Sequence, residues 1–470
     1  MNSKLLRENA MDSRIISGLM IAAMAGLSLV ANAQTLTITQ GVQKYASLAS
    51  TTVHMSGRCE LWVTNSSTPL SGCAINLNSS DAWLFLSGVK PSVVVSAYLG
   101  QVRVGGATAV ADSNIRVVQH GAAGTVVIPH ASSFQPLQVF TGPHFTGTAM
   151  SLSQHVYYRP TQLGPFNAAI SSFKLKRGYM ATLAQNQDGS GISRNYVAQD
   201  GDLEVSVLPG GLDDEVRFVY LIPWRWVAKK GSCDVWPEDL NATWWYNWNI
   251  NQSSPRDMQY VAIKQQPYWP GLNQNWQTLG VNHLLGFNEP NNPVEDAYQN
   301  LTPPGSVSDA VARWAELLGT GLRVGAPAVT DGGYSWIVDF VNQADAAGQR
   351  IDYVPVHYYR SYANNDYPQG AADNLYNFLK SIYDAVKRPL WVTEFNNGAN
   401  WTSDPDPTFD QNRNVIEAMI NMMDATPWIE RYAIYSAVEE VRQARYNAGG
   451  LTPMGLMYRD HLSPLAYLQG

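Results

Sequence analysis

Cysteine is scarce in this chain of 470 residues: the 3 present are too few for a disulfide scaffold and lack the thiol or paired-histidine spacing that binds zinc. Charge is scarce too. Asp, Glu, Lys and Arg make up 15% of the residues, against roughly 25% in an average soluble domain. The net charge of −7 contains no Lys/Arg cluster able to grip a phosphate backbone, so nucleic acid is a poor partner. The 8 His are scattered, with no two at helical metal-ligand spacing, and no glycine-rich dinucleotide loop is present; no metal and no cofactor are expected. What the chain has in excess is aromatic rings, 15 Trp, 24 Tyr and 12 Phe, together 11%. Disorder is excluded, and rings with little charge suit either bulky cores or stacking on neutral, hydroxyl-rich ligands.

Long apolar runs are also missing beyond the N-terminus, where a span would need about 18 residues. Residues 1–33 combine Lys4, Arg7 and Arg14 with an apolar stretch from Ile15 to Val30 and the small-residue run Ala31-Asn32-Ala33, the layout of a secretion signal. Cleavage is predicted before Gln34, which gives a secreted protein, extracellular or periplasmic, without membrane attachment; a monomer is expected. In that oxidising setting Cys59 and Cys73 are predicted to pair across a short loop, leaving Cys233 buried and unreactive.

Residues 34–133 are rich in Val, Thr, Ser, Gly and Ala, with short apolar runs such as Trp83-Leu84-Phe85-Leu86 between turn residues. They predict an all-β domain, a β-sandwich or small barrel, serving either carbohydrate binding or a plain spacer role. In residues 134–222, Phe140 precedes Gly147 by seven positions and Asn167-Ala168-Ala169-Ile170-Ser171-Ser172 follows. A weaker copy has Ala184, Gly191 and the run from Leu212 to Phe218. This pattern resembles the βγ-crystallin family and implies paired Greek keys. The resemblance also implies calcium sites, but Ala168, Arg217 and Phe218 stand where ligand oxygens belong, leaving Asp214 with Ser171 and an expectation of no calcium site or one weak one.

From residue 223 to 470 short hydrophobic runs alternate with helix-compatible stretches. Strands are predicted at Trp226 to Lys229, Trp244 to Trp248, Tyr260 to Lys264, Leu284 to Phe287, Leu322 to Val324, Tyr353 to His357, Leu390 to Thr393 and Arg431 to Tyr435. Eight strands alternating with helices predict a (β/α)8 TIM barrel as the C-terminal domain; a doubly wound open sheet is the fold alternative. In such a barrel the chemistry sits at the C-terminal strand ends. Glu289, in Phe287-Asn288-Glu289-Pro290, closes the fourth run, and Glu394, in Val392-Thr393-Glu394-Phe395, closes the seventh. A carboxyl pair of this kind serves glycoside hydrolysis, one group protonating the leaving oxygen and the other attacking the anomeric carbon or activating water.

The strand-four Asn-Glu and strand-seven Glu resemble clan A retaining glycoside hydrolases. With Trp244-Trp245-Tyr246-Asn247-Trp248, Leu285 to Asn291, Val324 to Val329, Val356-His357-Tyr358-Tyr359 and Trp391 to Phe395, the C-terminal half resembles glycoside hydrolase family 128, the endo-β-1,3-glucanase family. The resemblance implies Glu289 as acid/base, Glu394 as nucleophile and Asn288 as the group that hydrogen-bonds the substrate 2-hydroxyl. It further implies a β-glucan of the laminarin or curdlan type as partner. His357 and Tyr359 alternate onto one side of their strand and are placed to orient Glu394; Tyr358 replaces a tryptophan expected at the middle of that motif. Glu289 is expected to be held protonated by apolar neighbours and by the charge of Glu394. Trp244, Trp245, Tyr246, Trp248, Trp269, Trp336, Trp391 and Trp401 are candidate sugar platforms, each with core packing as the equal alternative. Two other functions stay open: a retaining hydrolase of another β-linked polysaccharide, either a different β-glucan or an agar-type polymer, and a non-catalytic glycan-binding protein.

Overall fold

The computed structural model describes residues 34–467 apart from Val235. The expected secretion signal lies outside the described residues.

The first domain departs from the expected sandwich or barrel. Strands Gln34–Ile38, Thr51–Met55, Ala74–Leu77 and Val102–Val104 stack in parallel, so that Leu36, Val53, Ile75 and Val102 form one column. Gly41–Tyr45, Cys59–Val63 and Ala82–Leu86 stack in parallel in a second sheet. The chain therefore winds as a coil, each turn adding one strand to each sheet. Alternation and turn residues look alike for a hairpin and for a coil; what differs is which strand each apolar column finds as its neighbour. The coil turns also lengthen, starting at residues 34, 51, 74 and 102, which hides the repeat.

The coil explains why the predicted bridge is not formed. Cys59 lies in the second sheet between Gly41 and Ala82, whereas Cys73 leads into a strand of the first, and both are free and buried. The Cys59 thiol lies 3.5 Å from the Ile38 carbonyl and that of Cys73 3.7 Å from Ser71. Burial pushes both thiols up from their ordinary value.

Residues 134–222 form two four-stranded sheets. In one, Leu137–Gly142 lies between Thr146–Leu152 and Ser172–Leu175, with Leu203–Val205 on the outer side of Ser172–Leu175; in the other, Tyr179–Ala184 lies between Ser193–Ala198 and Phe218–Pro223, with Tyr157–Tyr158 outermost. Each half thus lends its third strand to the sheet of the other. Gly147 adopts φ +77°, and a Cβ there would run into Thr141.

Among the described residues, the rest of the chain contributes eight parallel strands: β1 (Lys230–Cys233), β2 (Trp244–Tyr246), β3 (Gln259–Tyr260 and Ala262–Ile263), β4 (His283–Leu285), β5 (Arg323–Val324), β6 (Val354–Tyr358), β7 (Leu390–Phe395) and β8 (Ile429–Tyr435). Pairing runs from β1 through β2, β3 and β4 to β5 and from β6 through β7 and β8 back to β1, and the bridges Gly325↔Tyr353 and Val329↔Val356 join β5 to β6. The pairing is therefore a ring. The first strand sits at Lys230–Cys233 rather than at the predicted Trp226 to Lys229, because Trp226 packs away from the ring against Trp83 and His120 of the coil. The long helices α1 (Tyr334–Ala346), α2 (Pro368–Val386) and α3 (Phe409–Ala425) follow β5, β6 and β7, and they bury one face each. No helix among the described residues is long and apolar enough to cross a membrane.

One hydrophobic core runs through all of these parts, linking Trp83, Phe85 and Ile128 of the coil to Met180, Phe218 and Ile222 and on to Trp224, Leu284 and Leu322. Tyr157 donates to the Thr320 carbonyl and Thr182 to that of Gly321, both at 2.8 Å. Thr320 and Gly321 directly precede β5, and Asn282, directly before β4, donates to the Pro223 carbonyl, so the two β-domains cover the N-terminal end of the ring and leave the other end open.

Candidate active site

Alternation along each strand decides which side chains enter the ring. On β2, Trp244 and Tyr246 point inward and Trp245 packs outward against Tyr260. On β7, Trp391 points inward, stacked 4.0 Å from Tyr353 and 5.3 Å from Trp244, with the Arg431 guanidinium 4.3 Å above its ring. The rings of Trp244, Tyr246, Tyr353 and Trp391 are fully buried and fill the ring interior, while Trp245 is half-buried on the outer side. Trp244, Trp245 and Trp391 are thus core residues and not the sugar platforms considered from the sequence. Tyr358 is likewise buried, against Phe378 of α2, and the half-buried Trp336 stacks on Phe340 and donates to the Gly305 carbonyl at 2.7 Å.

At the open end of the ring the structure brings the two predicted carboxyls together. Glu289 follows β4, with its amide bonded to the Ala328 carbonyl at 2.8 Å and its backbone at φ +46°. That left-handed conformation is costly for a residue with a Cβ, and it turns the side chain toward β6. Glu394 lies within β7. Between them stands His357, whose Nδ1 is 2.6 Å from Glu289 Oε1 and 3.5 Å from Glu394 Oε2. One ligand-type atom from each of the three lies within 4.8 Å of the other two.

Glu394 accepts three further hydrogen bonds: from Tyr246 Oη at 3.1 Å and Trp248 Nε1 at 3.0 Å to Oε1, and from Tyr359 Oη at 2.5 Å to Oε2. Tyr246 and Trp248, read from the sequence as platforms, instead hold this carboxyl in place. His357 and Tyr359 share one side of β6 as the alternation predicts. Burial and the charge of Glu394 push the Tyr359 hydroxyl well above its ordinary value, so it stays a donor.

The protonation of Glu289 reverses the expectation. Burial alone would raise its carboxyl, but the hydrogen bond and charge of His357, with a 2.8 Å bond from Asn292 Nδ2, bring it below its ordinary value. His357 is raised: burial opposes its charge, and the Glu394 charge, followed by the bond and charge of Glu289, outweighs that opposition. The trio therefore stores its proton on the imidazole, because a basic ring, and not an apolar wall, separates the carboxyls.

Asn288 is buried beside Glu289, with its Oδ1 unpartnered among the described residues. Trp401 is 58% exposed, its ring edge-on to Tyr359 at 5.1 Å, and Trp269 is 44% exposed on the loop after β3. Both lie on loops at the open end and keep free surface for a ligand. Sequence reasoning missed Asn292 and Tyr435. Tyr435 ends β8 and packs 5.4 Å from Tyr359 and 6.0 Å from Trp248; as a polar residue closing a hydrophobic run it obeys the rule that found Glu394. Cys233, at the end of β1, is fully buried, with its thiol pushed well above the ordinary value by burial and by the charge of Glu394.

Two carboxyls at the ends of parallel strands, close enough to act on one bond and flanked by exposed rings, define a site of the glycosidase type. The family model of the glycosyl hydrolase catalytic core matches residues 224–458, half of the chain, and the chain belongs to that family. None of the curated proteins matches it. Among solved structures, it is similar to a glycoside hydrolase family 128 subgroup I endo-β-1,3-glucanase from Amycolatopsis mediterranei in complex with laminarihexaose, with 25% identity, 49% of this chain and 98% of that chain covered, and TM-score 0.43. A subgroup V exo-β-1,3-glucanase from Cryptococcus neoformans shares 20% identity over 49% of this chain and 98% of its own, TM-score 0.39. A subgroup VII oligosaccharide-binding protein from Trichoderma gamsii shares 21% over 50% and 93%, TM-score 0.39.

Proposed function

We propose that this protein is a secreted, retaining endo-β-1,3-glucanase that hydrolyses laminarin- or curdlan-type glucan by double displacement on a (β/α)8 barrel. The observation that carries the reading is the approach of Glu289 and Glu394 to within 4.8 Å. Retaining enzymes place their carboxyl groups about 5 to 5.5 Å apart, whereas inverting enzymes leave roughly 6.5 to 9.5 Å for a water. The ring of parallel strands supports the barrel, and the strand-end motifs support the β-1,3 linkage. Exposed rings on successive loops and at the start of α1 (Tyr268 and Trp269 after β3, Tyr334 at the first residue of α1, Tyr367 after β6, Trp401 after β7) support binding along a polymer and hence endo-action. The exchange of third strands between two sheets supports a βγ-crystallin-type reading of residues 134–222.

In the first step Glu394 attacks the anomeric carbon as the bond to the leaving oxygen breaks. Glu289 delivers to that oxygen the proton it draws from His357 Nδ1, 2.6 Å away. Tyr246, Trp248 and Tyr359 hold Glu394 in line. Ester formation then removes the Glu394 charge, and Glu289 with the now neutral imidazole takes a proton from the water that cleaves the ester. Asn288 bonds the 2-hydroxyl, a contact that strengthens as the ring flattens.

The test is reducing-sugar release from a panel of polysaccharides by wild type and Glu394→Gln, with mass spectrometry of the products from laminarin and curdlan and nuclear magnetic resonance of the first anomer formed. Expected are β-1,3-linked oligosaccharides born as the β anomer, and none from the variant. No release from any β-glucan overturns the enzyme reading in favour of a glycan-binding protein, and an inverted anomer overturns the mechanism.

A further inference from the structure

We propose that Arg442, on the segment after β8, is a positioning residue that fixes Trp401 as a wall of the cleft beside Glu394. The inference rests on the glucanase reading and adds to it a determinant of substrate affinity.

Residues 396–408, between Glu394 and α3, contain no helix or strand. A segment of that length has many conformations to lose, yet Trp401 at its middle is set edge-on to Tyr359, whose hydroxyl donates to Glu394. Arg442 is completely buried. Its Nε donates to the Asn397 carbonyl at 2.6 Å and its Nη1 to Asp406 Oδ1 at 2.7 Å, so one guanidinium ties down the segment on both sides of Trp401. Asn396 Nδ2 returns a bond to the Arg442 carbonyl at 3.0 Å. The backbone turns sharply beneath this clamp. Gly398 has φ +74°, and a Cβ there would press on Ser361 and Thr402 and lie 3.4 Å from Arg442 Nη2. Glu439, which contacts the same guanidinium, supplies the second carboxylate that makes a buried cation tolerable. A lysine has neither the fork nor the reach to replace it.

The test is a cycle of Trp401→Ala and Arg442→Met on laminarin, with Arg442→Met carried together with Glu439→Gln so that no buried carboxylate loses its cation. Each change alone is expected to raise KM about tenfold with kcat falling less than about threefold. Together they are expected to do no more than either alone. Asp406→Ala, which removes only the exposed partner of the clamp, is expected to raise KM by a smaller factor in a protein with unchanged melting. Additive effects of the two main changes, or a loss confined to kcat, overturn the proposal. If wild type hydrolyses no glucan, the glucanase reading falls separately. The same cycle is then read from laminarihexaose binding by calorimetry, where missing coupling, or no binding, overturns the Arg442 role.

Discussion

Replacing His357 by asparagine removes the proton store and leaves the proton donor, and the consequence is worked from the trio's geometry. The carboxyls of Glu289 and Glu394 approach within 4.8 Å. At an effective dielectric of about 20, two unit charges at that distance repel by roughly 3.5 kcal/mol. Without the imidazolium one carboxyl must keep a proton, and it is Glu289, because Tyr246, Trp248 and Tyr359 all donate to Glu394. The variant therefore retains an acid at low pH. The sign at high pH follows from the direction of the shifts. In the wild type the proton sits on an imidazole raised above its ordinary value and is lost only as the pH passes through that raised value. In the variant it sits on a carboxyl, whose reference value is about two pH units lower than that of imidazole. Burial and the Glu394 charge raise that carboxyl in the variant, so at a pH above both the protonated fraction is smaller in the variant by less than the roughly hundredfold that the two reference values alone would give. The assay is kcat/KM on laminarin between about pH 4 and pH 9. The expected result is a basic limb displaced toward acid, with a modest loss near pH 5 and a loss that grows as the pH rises but stays below about a hundredfold near pH 8. Parallel profiles, lowered by one factor at every pH, would refute the proton-store argument and leave His357 as packing.

The other predictions concern the scaffold. Arg323 of β5 and Glu430 of β8 form a buried pair in the ring, with Nη2 to Oε2 at 2.8 Å. Glu430→Gln should cost about 3 to 5 kcal/mol in urea unfolding, and exchanging both residues for methionine should restore most of it. A chain beginning at Trp224 loses the side chains of the coil and of the second β-domain that cover Trp224, Trp226 and Leu322; it should melt well below the full chain and bind an apolar dye. In the second domain Ser171 Oγ already donates to Asp214 at 2.9 Å, and those two oxygens fall far short of the roughly six to eight that calcium takes. Calorimetry should show no calcium binding at micromolar concentration.

Much of the site was legible because its residues stand at rule-bound places. A glutamate closing a hydrophobic strand points to the mouth of a parallel ring, and two such glutamates at the fourth and seventh strands needed only their order in the chain. The helix-compatible stretches between the hydrophobic runs became the helices after β5, β6 and β7. The coil was not legible, since strand sequences do not say which strand they pair with. The bridge predicted for Cys59 and Cys73 failed for the same reason: nearness along the chain does not place two thiols on one sheet.

The aromatic residues show the division most clearly. Their abundance, and the runs that carry Trp244, Trp391 and Trp401, are fixed by the order of residues along the chain. Whether a ring fills the ring interior, as Trp244 and Trp391 do, holds a carboxyl, as Tyr246, Trp248 and Tyr359 do, or faces solvent, as Trp401 does, was decided by strand register and closure. The protonation of Glu289 belongs with these. Composition and order placed two acids and a histidine on or just after three strands far apart in the chain, and only the closed ring brought the imidazole between the carboxyls, where its hydrogen bond and charge outweigh burial and lower the Glu289 carboxyl.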